Sequence, residues 1–227
     1  MDIAALAFSI DQTLLKPTAT LAEAAEWMEG SRDAGFATLC VSPFLVPLAA
    51  QRLAGSTTRV CSVAGFPLGY SLTETKAEEA THLVSLGCAE VDMVVNLGAL
   101  LAGEDDMVRD DIAAVVDATA QGSASSAFVK VILETGYLEE ADIVRGCRLA
   151  VEAGAAYVKT STGFGPRGAS VSDVEIMRAT VGPDIGVKAA GGIRDLDAAL
   201  AMLTAGADRI GTSAGLEILS QAAERGL

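Results

Sequence analysis

Two lysines in this chain stand where apolar strand residues would be expected. Lys159 closes the run Ala155-Ala156-Tyr157-Val158-Lys159, and Lys188 closes Ile185-Gly186-Val187-Lys188. Desolvation pushes an amine towards its neutral form, and a second ammonium close by pushes the same way. A neutral amine attacks carbonyl carbon. A third charge, Asp92, lies in Glu90-Val91-Asp92-Met93-Val94-Val95-Asn96, between apolar neighbours. Strand alternation puts Asp92, Val94 and Asn96 on one face. An acid on an interior face needs a cation, and Lys159 or Lys188 can supply one. Such a pair is suited to moving protons. Lys130, within Phe128-Val129-Lys130-Val131-Ile132-Leu133-Glu134, is a third strand lysine, with a supporting place. Each feature has a plainer reading: a lysine snorkelling to solvent, or a structural ion pair. Two lysines on neighbouring strands, each followed by a loop of small residues, favour chemistry.

Three loops rich in glycine and hydroxyl groups follow late strands. They are Thr160-Ser161-Thr162-Gly163-Phe164-Gly165, Ala190-Gly191-Gly192-Ile193-Arg194 and Gly211-Thr212-Ser213-Ala214-Gly215. Backbone N–H groups in such loops, and at the helix start after them, bind phosphate. A single Gly-Gly is usually only a turn. Three such loops on one face are a better signal.

The elements that must position these residues alternate in type. Short strand-like runs are expected at 37–41, 59–63, 90–96, 127–134, 156–159, 186–190 and 209–212, with a first strand around 9–15. Amphipathic stretches at 21–34, 74–86, 105–120, 139–153, 172–181 and 195–205 lie between them. Four of those stretches end on glycine: Gly35, Gly87, Gly154 and Gly206. Glycine closes a helix in the left-handed conformation without a Cβ penalty. Gly35 to Gly87 and Gly154 to Gly206 are each 52 positions apart. That is two β/α units of roughly 26 residues, and about eight such units fit the chain. The expected fold is therefore α/β: a single (β/α)8 TIM barrel over residues 1–227, with a short N-terminal extension. An open doubly wound sheet is the alternative, but no G-x-G-x-x-G follows a strand. In the barrel, Lys159 and Lys188 end strands six and seven on the face where barrels carry their active sites.

Composition removes several classes of function. A net charge of −14 argues against nucleic acid or an anionic membrane as partner. The apolar run 91–102 is broken by Asp92 and Asn96, far short of the ~20 residues of a spanning helix. Residues 1–10 lack the basic region of a signal peptide, so a soluble, cytoplasmic protein is expected. Cys40, Cys61, Cys88 and Cys147 form no CxxC pair and read as free thiols. The one histidine, His82, falls in a helical stretch, so a histidine-rich metal site is unavailable. Trp27 reads as packing. Glu104-Asp105-Asp106 reads as charge at a helix start, not a metal cage.

Taken together, these residues resemble the deoxyribose-phosphate aldolases. The resemblance runs from Ile10-Asp11-Gln12-Thr13-Leu14-Leu15-Lys16 to Arg209-Ile210-Gly211-Thr212-Ser213. Its most specific segments are Glu90–Val94, Val158–Phe164 and Val187–Arg194, with Leu39-Cys40-Val41-Ser42-Pro43 and Val63–Gly69 in support. The resemblance implies reversible cleavage of 2-deoxy-D-ribose 5-phosphate to acetaldehyde and D-glyceraldehyde 3-phosphate without metal or organic cofactor. It assigns the Schiff base to Lys159. It makes Lys188 the second lysine, lowering the pKa of the first and joining a proton relay with Asp92. Thr160, Gly163, Phe164, Gly191, Gly192, Gly211, Thr212 and Ser213 become the substrate and phosphate contacts, with Asp11, Cys40 and Lys130 in support. Homodimers or higher homo-oligomers are expected by analogy. Two departures stand out. Gln12 replaces a histidine common in relatives, and Phe164 stands where some members have lysine. Phosphate would then rely on backbone N–H groups, Thr212, Ser213 and either Arg167 or Arg194. Another Schiff-base barrel aldolase, a transaldolase and an inactive phosphate-binding barrel are the competing readings.

Overall fold

Runs of Val, Ile, Leu, Ala and Cys that are apolar on both faces suit parallel strands buried on both sides. The computed structural model describes residues 1–122 and 127–227. Among these residues, eight parallel strands close into a barrel in sequence order. They are β1 (Ile10–Leu14), β2 (Thr38–Val41), β3 (Arg59–Ala64), β4 (Glu90–Val94), β5 (Phe128–Ile132), β6 (Tyr157–Lys159), β7 (Gly186–Ala190) and β8 (Arg209–Thr212). The helices are α1 (Ile3–Phe8), α2 (Leu21–Ser31), α3 (Val46–Arg52), α4 (Thr73–Ser85), α5 (Leu97–Ala102), α6 (Asp105–Gln121), α7 (Glu140–Glu152), α8 (Val171–Val181), α9 (Leu196–Thr204) and α10 (Gly215–Glu224). Single 3-10 turns follow β2 and β5, at Pro43–Leu45 and Thr135–Tyr137.

Local chemistry sets the boundaries. Thr20 and Glu23 form a reciprocal capping box at the start of α2, while Ser170 and Asp195 cap α8 and α9. Gly35, Gly87, Gly154 and Gly206 all have positive φ, as their place after α2, α4, α7 and α9 requires. The N-terminal extension is the short helix α1, which packs against α10.

Alternation along each strand divides the interior in two. Outward residues such as Leu39, Val41, Met93 and Val131 join the helices in one large apolar core. The inward set is different. Cys40, Cys61 and Val63 form a small apolar cluster with Leu15 and Phe66. Beside them lie Asp11, Glu90, Asp92, Lys130, Lys159, Lys188 and Arg209, all nearly inaccessible to solvent. Register fixes their neighbours: Asp92 is paired with Lys130, and Lys159 with Lys188.

Candidate active site

Asp92 is the hub of the barrel interior. Its Oδ1 accepts from Lys130 Nζ at 2.7 Å, and its Oδ2 accepts from both Lys159 Nζ and Lys188 Nζ at 2.7 Å. Asp11 forms a second anchor, 2.6 Å from Lys188 Nζ, with Arg209 and the Thr38 hydroxyl on its other oxygen. Glu90 forms a third, 2.6 Å from Lys130 Nζ and paired with Arg59 at the barrel rim. Cys61 Sγ lies 3.4 Å from Asp92 Oδ1 and equally close to Lys130 Nζ.

These contacts decide the charges. Burial by itself would raise the Asp92 carboxyl, but Lys130, Lys159 and Lys188 together hold it well below the usual carboxylate range. Asp11 is held down in the same way by Lys188, Lys130 and Arg209. Burial pulls Lys188 down, yet Asp11 and Asp92 outweigh it and keep its pKa above the ordinary lysine value. Lys130 is raised likewise, against burial, chiefly by Asp92. For Lys188 the desolvation read from the sequence is outweighed. That side chain is a firmly held ammonium, because two carboxylates face it.

A cavity of about 380 Å³ opens above this cluster. Its wall includes Lys159 but none of Asp92, Lys130 and Lys188. Around Lys159 the wall is built from the ends of β1, β6, β7 and β8: Thr13–Lys16, Thr162–Phe164, Ala190–Arg194 and Gly211–Ser213. Phe164 is half-exposed at its edge, packed edge-to-face on Phe66 with ring centroids 5.5 Å apart.

The DeoC/LacD family aldolase model matches residues 5–221. The chain belongs to the DeoC/LacD aldolase family. It is 54% identical over 214 residues to deoxyribose-phosphate aldolase of Geobacillus sp. (strain WCH70), covering 94% of each chain. Among solved structures it resembles "QR15, an Aldolase", with a TM-score of 0.91, 40% identity and coverage of 97% and 96%. The tetrameric deoxyribose phosphate aldolase of Aeropyrum pernix superposes with a TM-score of 0.87 at 32% identity, covering 96% and 91%.

Within this aldolase most residues singled out in the sequence converge. Gly163, Phe164, Gly191, Gly192, Gly211, Thr212 and Ser213 all line the cavity. Thr160 does not. Its hydroxyl donates to Ala190 O at 3.2 Å and accepts from Ala190 N–H at 3.1 Å, tying β6 to β7 on the outer side. The Thr212 hydroxyl is likewise committed, donating to Ile193 O at 2.6 Å. Of the two arginines considered for phosphate, Arg194 is at the wall, whereas Arg167 is paired with Asp173 and Thr135 O. Gln12 Oε1 accepts from Gly215 N–H at 2.9 Å and so holds the start of α10. His82 is exposed on α4, and all four cysteines are buried free thiols.

Sequence reasoning missed Glu90 and Arg209 as members of the interior cluster and Lys16 as a wall residue. Lys16 stands directly after the strand-end run Leu14-Leu15, a position that could have pointed to it. Two sets of side chains approach a metal-binding arrangement: Cys40, Cys61 and Asp92, and Asp11, Cys61 and Glu90. Their carboxylates are already engaged by lysines and arginines, and a dication there would sit among like charges. No helix among the described residues is long and apolar enough to cross a membrane.

Proposed function

We propose that the chain is a class I 2-deoxyribose-5-phosphate aldolase working through a Schiff base on Lys159. One observation carries the reading. Among the three interior lysines bonded to Asp92, Lys159 is the one at the cavity wall. The name carried by its 54% identical relative supports the substrate.

Each step then has a residue. The uncharged amine of Lys159 adds to the C1 aldehyde of the open-chain sugar, and loss of water from the carbinolamine leaves an iminium. Removal of the C3 hydroxyl proton breaks the C2–C3 bond. The bonding pair flows into the iminium, giving an enamine on Lys159 and releasing D-glyceraldehyde 3-phosphate. Protonation of the enamine at C2 and hydrolysis release acetaldehyde and regenerate the amine. Asp92, touching both Lys159 and Lys188, carries the protons, and the ammonium of Lys188 is their reserve. Asp11 and Lys130 hold the relay in place from behind, and Cys40 packs beside it. The phosphate is placed among the Gly163, Gly191–Gly192 and Gly211–Ser213 backbones, near Arg194.

The same reading makes the chain one catalytic domain that needs no metal. It assembles as a homo-oligomer, as does the Aeropyrum pernix relative. It resides in the cytoplasm, which suits four free thiols and a phosphorylated substrate. Incubation with 2-deoxyribose 5-phosphate should release acetaldehyde and glyceraldehyde 3-phosphate in equal amounts. Turnover only with dihydroxyacetone-type donors would move the assignment to another Schiff-base aldolase.

A further inference from the structure

We infer that Glu134, which does not itself line the cavity, is the positioning residue that shapes the loop after β6 for recognition of the substrate's phosphate. The inference rests on the aldolase reading above and adds a residue that the sequence did not single out. Glu134 is 2% exposed, just beyond β5. Among the described residues it is the one non-glycine with positive φ, at φ 56° and ψ 58°. A side chain held in that sparsely populated region persists only where its surroundings over-determine it.

What holds it is the loop. Both carboxylate oxygens accept from Thr162 N–H, at 3.2 and 3.3 Å, and Oε2 also takes the Thr162 hydroxyl proton. The Thr162 hydroxyl oxygen in turn accepts from Phe164 N–H at 3.0 Å. The chain of donors therefore runs from Phe164 through Thr162 into Glu134. It fixes the loop on either side of Gly163, which lines the cavity. Gly165 closes the clamp: a Cβ there would lie 2.9 Å from the Glu134 carboxylate and would push it off Thr162. A second tie lies outside the first, where Arg167 bridges Thr135 O and Asp173. The loop after β6 is thus stapled to the loop after β5, and the staple ends three residues from the reacting lysine. Because Glu134 contacts the loop and not Lys159, it governs phosphate recognition and leaves amine chemistry alone.

The test compares Glu134→Gln with wild type on 2-deoxyribose 5-phosphate and on unphosphorylated 2-deoxyribose. The variant should raise KM for the phosphorylated sugar by about tenfold, the order of one lost charge-assisted hydrogen bond. KM for the unphosphorylated sugar, and the rate of borohydride trapping with acetaldehyde, should stay within about twofold, since neither depends on this bond. Glu134→Gly, which adopts the backbone conformation freely, should show the same loss of preference, and Thr162→Val combined with Glu134→Gln should add nothing further. Equal effects on both sugars would overturn the inference, whatever the fall in activity. Amide exchange over 160–165 needs no turnover, so it separates this inference from the aldolase reading. It should quicken in Glu134→Gln while 190–194 and 211–215 are unchanged, and unchanged exchange at 160–165 would also overturn it.

Discussion

Lys159 and Lys188, paired in register on adjacent strands, donate to the same oxygen of Asp92, each at 2.7 Å. The two amines are nevertheless unequal. Lys188 is sealed between Asp92 and Asp11, while Lys159 faces the cavity. On the proposed Schiff-base reading, position gives one the task of reacting and the other the task of remaining charged.

Lys188→Leu should separate those tasks. It removes the reserve proton and leaves Asp11 facing Arg209 and Lys130. Turnover of 2-deoxyribose 5-phosphate should fall by about 10²–10⁴-fold, the usual worth of a positioned acid or base. Adduct formation at Lys159 should be slowed but still detectable. Steady-state kinetics with trapping in the same preparation checks this. Near-wild-type turnover would remove Lys188 from the relay.

Asp92→Asn should cost both activity and stability. It leaves the buried Lys130, Lys159 and Lys188 amino groups without their common acceptor, and breaking such a cluster from one side costs about 3–5 kcal/mol. Urea unfolding reads the stability, and turnover reads the relay. A variant as stable as wild type would show that the interior charges are not coupled through Asp92.

The pH dependence follows from the direction of each shift. Asp11 and Asp92 have depressed carboxyls, so their stabilisation is present above the unfolded value of about 3.9 and lost as pH falls towards the folded one. Lys130 and Lys188 are raised, so theirs is present below about 10.4 and lost only as pH rises through the folded values. Unfolding free energy from this cluster should be level between about pH 5 and 9. The gap between wild type and Asp11→Asn should be constant there and shrink below about pH 4. A gap that changed steadily across neutral pH would contradict the charge states assigned here.

Chelation should be without effect. The carboxylates that approach metal-ligand geometry are occupied by lysine and arginine side chains. Activity after dialysis against EDTA should equal that before. Loss on chelation with recovery on added zinc would replace the Schiff-base reading with a metal one.

How much of this was legible in the sequence depended on isolation. Lys159, Lys188 and Asp92 stand out because each is a lone charge in an apolar run, and a strand period tells which way it points. The strands Gly186–Ala190 and Arg209–Thr212 are legible to the residue, because each is a short run between two helical stretches. Glu90 and Arg209 sit at strand starts, where a charge ordinarily faces water, and only closure of the barrel brings them together. Closure also sets the surroundings of Lys188. Its carboxylate partner Asp11 lies 177 positions away in sequence, and no local pattern announces the pairing. The short helices α3 and α5 escaped because seven- and six-residue apolar stretches have too few turns to show a period. Thr160 was misplaced because a Thr-Ser-Thr run hides which hydroxyls turn outward.

The most direct test is intact mass after borohydride reduction in the presence of acetaldehyde, followed by peptide mapping, in wild type and Lys159→Ala. A single ethyl group on Lys159 in wild type, and none in the variant, is the expected result. Equal labelling of the variant, or no labelling of folded wild type, would contradict the assignment of the Schiff base to Lys159.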